Sequence, residues 1–175
     1  MRNNEKGSID RAKTTLKETL EAIPFIKLVS IKDQPAGGAD ILLKLKYKGK
    51  LLTCVVEIKS LGQPKYAREA AYQLKRYSGG CPGSYGIFMA PYISVDAGEV
   101  LVENNAGYMD FSGNCRLSFG GIYIERKGNP NAFTVKRDLR KLYSPKAERV
   151  LRVLLSAAKK PWKMAGLSEE AVVSL

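Results

Sequence analysis

Apolar and polar residues alternate with a period of two between residues 40 and 59, which predicts a β-hairpin. Gly49 and Lys50 separate the two apolar runs, and we take them as the turn residues, so that Lys48 pairs with Leu51. One face of this hairpin is then apolar throughout, formed by Ile41, Leu43, Leu45, Tyr47, Leu52, Cys54, Val56 and Ile58.

The other face of the predicted hairpin carries charge. It places Asp40 opposite Lys59 and Leu42 opposite Glu57, so that Asp40 and Glu57 become diagonal neighbours about 7–8 Å apart. One interpretation is an exposed ion pair between Asp40 and Lys59, with Glu57 in water. Charges that follow an apolar strand usually have a compensating partner such as a metal ion, which favours a functional cluster.

Periodic patterns predict the remaining elements up to residue 126. Helices are expected over residues 8–22, 65–80 and 94–107, with Ser8 and Ser94 as N-caps, and strands over 25–31 and 85–90. The order is therefore αβββαβ, which indicates an α/β fold with a mixed central sheet flanked by helices. Three short strands follow, and Asp110, Ser112 and Asn114 form either a polar turn beside the site or an Asx-type turn.

The C-terminal part differs in composition. We assign residues 1–126 to the core, 127–142 to a basic linker and 143–175 to a helical unit. The helical unit resembles the start of a winged-helix or helix-turn-helix domain, whose recognition helix would begin after Val173, where the sequence ends. The unit is then partial, or it is an ordinary helical hairpin.

The charge balance favours a polyanionic partner. Lysine and arginine number 29 against 17 acids, for a formal charge of +12. Nucleic acid is the first expectation, with an anionic membrane surface or a merely soluble basic protein as alternatives. The residues predicted to bind nucleic acid are Lys75, Arg76, Lys136, Arg137, Arg140 and Lys141.

Absent residue types exclude several classes of site. The chain has no histidine, which excludes His-dependent triads, His-metal nucleases and Cys/His zinc sites. Its three cysteines form no C-x-x-C pair, so neither a disulfide framework nor a zinc cluster is expected. The polar N-terminus and the lack of a long apolar segment predict a cytoplasmic protein with no membrane partner.

Two motifs together resemble a known family. Asp40 followed by Glu57-Ile58-Lys59 is similar to the PD-(D/E)xK nuclease core, whose αβββαβ order matches the predicted one. Gln73 and Tyr77 lie at i and i+4 of the next helix, like the Q-x-x-x-Y motif of its RecB-like branch. The sequence departs from the family in having alanine rather than proline before the aspartate.

The resemblance implies a restriction-endonuclease-like fold and a metal site. Asp40 and Glu57, helped by the Ile58 carbonyl, would bind Mg²⁺ (or Mn²⁺), and Lys59 would position or activate the attacking water. The remaining implied site residues are Gln73 and Tyr77, which would hold the site or the backbone, and an acid of the first helix, either Glu18 or Glu21.

Two functions are consistent with these features. The first is a Mg²⁺-dependent DNA endonuclease of restriction or repair type, which the intact acidic and basic motif favours. The second is a non-catalytic DNA-binding transcriptional regulator or antitoxin-like protein built on a nuclease-like core. Its support is a loose similarity of "GYMDFSGN" and "PWKMAGLSEEA" to the antitoxin-type regulators called AbiEi. The sequence leaves open whether the protein forms a homodimer.

Overall fold

The structure is a computed structural model that describes residues 2–35, 38–134, 144–156 and 161–173, with side chains from residue 7 onward. The chain divides into two compact units, Met1–Phe133 and Thr134–Leu175. The first unit contains the predicted hairpin and its motifs. The second contains the two C-terminal helices.

The first unit is a seven-stranded mixed sheet with helices on its faces, and its elements begin in the predicted αβββαβ order. The sheet follows the order of the chain, β1-β2-β3-β4-β5-β6-β7; β3, β4 and β5 are parallel, and the other neighbours are antiparallel. The elements are α1 (Arg2–Glu21), β1 (Ile26–Asp33), β2 (Ile41–Tyr47), β3 (Lys50–Ile58), α2 (Pro64–Gly80), β4 (Tyr85–Ala90), α3 (Val95–Glu103), β5 (Gly107–Asp110), β6 (Cys115–Phe119) and β7 (Ile122–Arg126).

Two apolar clusters hold the helices against the sheet. On one side, Ala12, Leu16 and Leu20 of α1 recur every four residues and are fully buried against the apolar face of the hairpin. On the other side, the alanines and Leu74 of α2 pack with α3 and with Phe88 of β4. Each fully buried leucine contributes roughly 1.5–3 kcal/mol, so this packing holds the helices against the sheet.

The hairpin turn lies one residue earlier than the sequence indicated. Lys48 and Gly49 occupy the turn with φ of 46° and 81°, as a type I′ turn requires, and Tyr47 pairs with Lys50. The prediction of a Gly49-Lys50 turn was therefore wrong, and every cross-strand partner moves by two positions. Because side chains repeat every two residues along a strand, the apolar and charged faces keep their predicted members.

The helix starts were predicted with mixed success. Ser94 is the N-cap of α3, where its hydroxyl accepts a hydrogen bond from the Ala97 N–H at 3.3 Å. Ser8 is not the N-cap of α1, because the helix begins at Arg2 and Ser8 lies inside it. The signal of a capping serine was present, but the helix continued upstream through polar residues that show no apolar stripe.

The first unit continues to Phe133, beyond the boundary expected at residue 126. Asn114 and Asn129 exchange two hydrogen bonds, from the Asn129 N–H to the Asn114 side-chain oxygen at 2.9 Å and from the Asn114 Nδ2 to the Asn129 carbonyl at 3.1 Å. The start of the predicted linker is thus attached to the core. Residues 135–143 lie outside the described part of the chain, and with them the predicted DNA-binding residues Lys136, Arg137, Arg140 and Lys141.

The second unit contains α4 (Pro145–Ser156) and α5 (Met164–Glu170). Ser144 directly precedes α4, and its hydroxyl accepts a hydrogen bond from the Ala147 N–H at 3.2 Å. The predicted likeness to a winged-helix unit stays a prediction. Within the described residues, no helix is both long enough and apolar enough to cross a membrane.

The Lys48-Gly49 turn predicts that asparagine has opposite effects on stability at Lys48, inside the turn, and at Lys50, directly after it. Lys48→Asn should stabilise the chain by roughly 0.5–1 kcal/mol, because asparagine tolerates a left-handed φ better than lysine does. Lys50→Asn should destabilise it, because asparagine disfavours strands. Urea unfolding midpoints measure both, and the reversed pair of effects would indicate the Gly49-Lys50 turn instead.

Candidate active site

The hairpin brings Asp40 beside the end of β3. Asp40 directly precedes β2, and its N–H donates to the Val56 carbonyl at 3.1 Å. Its carboxylate in turn accepts a hydrogen bond from the Ile58 N–H at 2.7 Å. Glu57, between these two residues of β3, is only 5% exposed. The backbone pairing therefore holds the Asp40 carboxylate next to a buried glutamate.

Lys59 lies between two carboxylates. Its Nζ is 2.9 Å from the Glu57 Oε1 and 3.3 Å from the Glu69 Oε1, which α2 supplies. Glu69 is the only acid of α2, and no role was predicted for it because nothing in its local pattern distinguishes it from a solvated residue. With Asp40, the cluster has three carboxylates and one ammonium, so it is locally acidic in a strongly basic chain.

Burial and charge shift the pKa values of this cluster. Burial raises the pKa of Glu57 above its usual range and the Asp40 charge raises it further, against the opposing hydrogen bond from Lys59. Burial alone would lower the pKa of Lys59, but its hydrogen bonds and charge interactions with Glu57 and Glu69 outweigh burial and raise it. Lys59 is therefore a cation at neutral pH.

The second carboxylate oxygen of Glu57 lacks a hydrogen-bond partner among the described residues. Glu57 Oε2 is buried, and no described residue donates a hydrogen bond to it. A buried carboxylate oxygen without a donor is costly, and a divalent cation is one group that satisfies it. Among the described residues, no group of three or more Asp, Glu, Cys or His side chains gathers as a metal site. The fitting donor set is smaller: the carboxylates of Asp40 and Glu57 with the Ile58 carbonyl, all hard oxygens of the kind that Mg²⁺ prefers.

A cleft opens in front of these groups. Its volume is about 400 Å³, and it is lined by Ser8, Ile9, Gln34, Asp40, Glu57, Ile58, Lys59 and Ser60. The lining combines the ends of three neighbouring strands with the N-terminal half of α1. It is therefore open to a ligand at the charged end of the hairpin.

Gln73 and Tyr77 lie on the same side of α2 as Glu69. The Tyr77 ring packs on the segment that leads into Asp40, where a Cβ added to Gly38 would lie 3.3 Å from its Cε1. Gly38 has a φ of 88°, which also favours glycine at this position. Gln73 Oε1 is buried without a hydrogen-bond donor among the described residues. Tyr77 thus supports the Asp40 segment, while the two predicted DNA-binding residues of α2, Lys75 and Arg76, are exposed.

The structure does not bring Glu18 or Glu21 to the cleft. Both are exposed near the C-terminal end of α1, which leads to Ile26 at the start of β1. Ile26 pairs with Tyr47 at the turn end of the hairpin, whereas Asp33 pairs with Ile41 at the Asp40 end. The two ends are roughly 20 Å apart at 3.3 Å per residue. The part of α1 that reaches the cleft is the turn containing Ser8 and Ile9.

The polar turn after β5 is structural. Asp110 is fully buried, and its carboxylate accepts from the backbone N–H groups of Ile93, Ser112 and Asn114 at 3.2, 3.0 and 2.9 Å. The Asn114 Nδ2 donates to it as well, at 3.0 Å. The bond to the Ser112 N–H is that of an Asx turn, one of the two alternatives raised by the sequence. This carboxylate is satisfied within the fold.

Comparison with solved structures gives partial matches, and two of them are structures of EndoMS. EndoMS in complex with double-stranded DNA matches with a TM-score of 0.42 and 18% identity, over 59% of this chain and 44% of that one. EndoMS in its apo form matches with a TM-score of 0.40 and 16% identity, over 58% and 44%. The chain thus spans less than half the length of the EndoMS chains. No family model and no curated protein matches the sequence.

The raised pKa of Glu57 predicts a pH-dependent cost of its charge. The folded chain binds the Glu57 proton more tightly than the unfolded chain does. Glu57 therefore makes the free energy of unfolding fall as the pH rises above 4.5, the usual pKa of a glutamate. In EDTA, the free energy of unfolding of Glu57→Gln relative to that of wild type should therefore be more favourable at pH 7 than at pH 4.

Urea unfolding at both pH values measures this difference. Glu103→Gln, at an exposed acid of α3, is the matched control for removing a carboxylate charge from the surface. A stability difference between wild type and Glu57→Gln that is the same at pH 4 and pH 7 would contradict the account of Glu57.

Proposed function

We propose that this protein is a Mg²⁺-dependent DNA endonuclease of PD-(D/E)xK type, acting in restriction or repair. The observation that carries the proposal is the arrangement of Asp40, Glu57 and Lys59 at one mouth of a cleft, with a buried Glu57 oxygen that lacks a donor. A purely structural ion pair would satisfy that oxygen with a protein donor.

Asp40 and Glu57, with the Ile58 carbonyl, are the groups that would hold the metal ion. Bound there, Mg²⁺ supplies a Lewis acid for the phosphate and lowers the pKa of an attacking water. The hydrogen bond from the Ile58 N–H fixes the Asp40 carboxylate in place before any ligand binds. Little reorganisation is then needed when the substrate arrives, which favours catalysis.

Lys59 acts as a positive charge in this proposal. Its raised pKa keeps it protonated at neutral pH, so it orients the water and offsets the developing charge of the phosphate. Glu69 holds the ammonium from the α2 side at 3.3 Å, and this contact remains available to Lys59 when Glu57 binds another group. Tyr77 supports the Asp40 segment from the same helix.

DNA is the substrate that the charges favour. The formal charge of +12 attracts a polyanion, and the exposed Lys75 and Arg76 lie on the helix that also carries Glu69. The acidic cluster would repel phosphates without a metal ion. Binding of a cation therefore couples the site to the substrate.

Cleavage assays test the proposal directly. Purified protein with Mg²⁺ should cut DNA when offered double-stranded, single-stranded and branched forms, and EDTA should stop it. Asp40→Asn, Glu57→Gln and Lys59→Ala should each reduce the rate by at least about a hundredfold, because each removes a metal ligand or the charge that stabilises the transition state.

Asp96→Asn, at an exposed acid at the start of α3, is the matched control and should cut as the wild type does. Circular dichroism shows whether each variant is folded. Equal cutting by wild type and by all three site variants would identify a contaminant and contradict the proposal. DNA binding that persists in EDTA, with no cutting under any condition, would favour the regulator alternative.

A further inference from the structure

Tyr72 is the most exposed aromatic side chain among the described residues. It lies in the middle of α2 and is 72% exposed, although tyrosine is an amphipathic residue that usually buries most of its ring. No described aromatic ring pairs with it, and no described cation lies over it. The ring is therefore accessible for contact with a ligand.

Basic side chains surround this ring along the helix. Arg68 and Arg76 lie four residues before and after Tyr72, and Lys65 and Lys75 flank them, all on the outward side of α2. The buried side of the helix is formed by alanines and Leu74. None of these four basic residues forms an ion pair with another described residue. We call Lys65, Arg68, Tyr72, Lys75 and Arg76 the outer face of α2.

The outer face of α2 has the dimensions of a short stretch of nucleic-acid strand. From Lys65 to Arg76 the helix rises roughly 16 Å at 1.5 Å per residue. Glu69, the one acid of α2, contacts Lys59 at 3.3 Å while its side chain stays half-exposed, and the four basic residues of the outer face outnumber it. The contact between Glu69 and Lys59 also places the outer face of α2 beside the candidate active site.

We propose that the outer face of α2 binds a DNA strand with unpaired bases, with Tyr72 as a stacking platform for one base and the four basic residues as phosphate contacts. Proteins that bind single strands combine positive charge with exposed aromatic rings in this way, because every base has a face that can stack. Paired bases in a duplex already stack on each other, so an exposed ring on a helix surface gains little from them. The inference rests on the proposed function for its choice of DNA, but it requires no catalysis.

Fluorescence anisotropy in EDTA tests the inference without any cleavage. The probes are a labelled thymidine oligonucleotide and a labelled hairpin duplex. Wild type should bind the single strand, and Tyr72→Ala should weaken that binding by roughly tenfold, while duplex binding changes by less than about twofold. Tyr72→Trp should restore the single-strand affinity, because tryptophan stacks as well as tyrosine does.

Charge and position are controlled separately. Arg68→Ala and Lys75→Ala should weaken the binding of both probes. Each should also reduce the slope of log affinity against log salt concentration by roughly 0.7 for the single strand. Tyr123→Ala, which removes an exposed tyrosine of β7, is the matched control and should leave both affinities unchanged. Circular dichroism verifies that each variant is folded.

Three results would overturn the inference. The first is unchanged single-strand binding in Tyr72→Ala, and the second is an equal loss of affinity for both probes in that variant. The third is competition by polyglutamate as effective as that by the oligonucleotide, which would indicate an acidic protein partner. These results are distinct from failure of the nuclease proposal. If the chain binds the single strand through Tyr72 but cuts no DNA with Mg²⁺, the DNA-binding role of the outer face of α2 stands and the nuclease proposal fails.

Discussion

The site depends on one hydrogen bond, from the Ile58 N–H to the Asp40 carboxylate at 2.7 Å. It joins the residue before β2 to the last residue of β3, and so it exists only in the register that the type I′ turn sets. A slip of one residue would turn Asp40 to the opposite face of the sheet, away from Glu57 and Lys59. The geometry of the charged groups is therefore a consequence of backbone pairing, which the apolar face stabilises.

The cluster at this end of the hairpin is unbalanced in charge. Asp40, Glu57 and Glu69 face a single ammonium, and Glu57 is nearly inaccessible to water. A fold that places an excess of carboxylates in a poorly solvated position carries an electrostatic cost that a bound cation would remove. The surrounding chain has the opposite charge. A metal ion would therefore neutralise an acidic cluster in a protein whose net positive charge attracts polyanions.

The sequence predicted the elements of the core because each carries a strong period: two for the hairpin and about four for α1 and α2. It predicted the members of each hairpin face even though it misplaced the turn by one residue. That error moves each cross-strand partner by two positions, which leaves every side chain on the same face. It could not show that Glu18 and Glu21 lie away from Asp40, because the direction of α1 relative to β1 decides which end of the helix reaches the cleft. It also gave no role to Glu69, whose contact with Lys59 arises from tertiary packing between α2 and β3.

Asp40 and Glu57 are proposed to form a divalent cation site. A crystal structure of the wild-type protein soaked in Mn²⁺, with an anomalous difference map, tests it most directly. A bound Mn²⁺ should give a peak roughly 2.0–2.4 Å from the Asp40 carboxylate and from Glu57 Oε2, with Lys59 still in contact with Glu69. An empty map at this position, with Glu57 Oε2 hydrogen-bonded to a protein group, would contradict the claim.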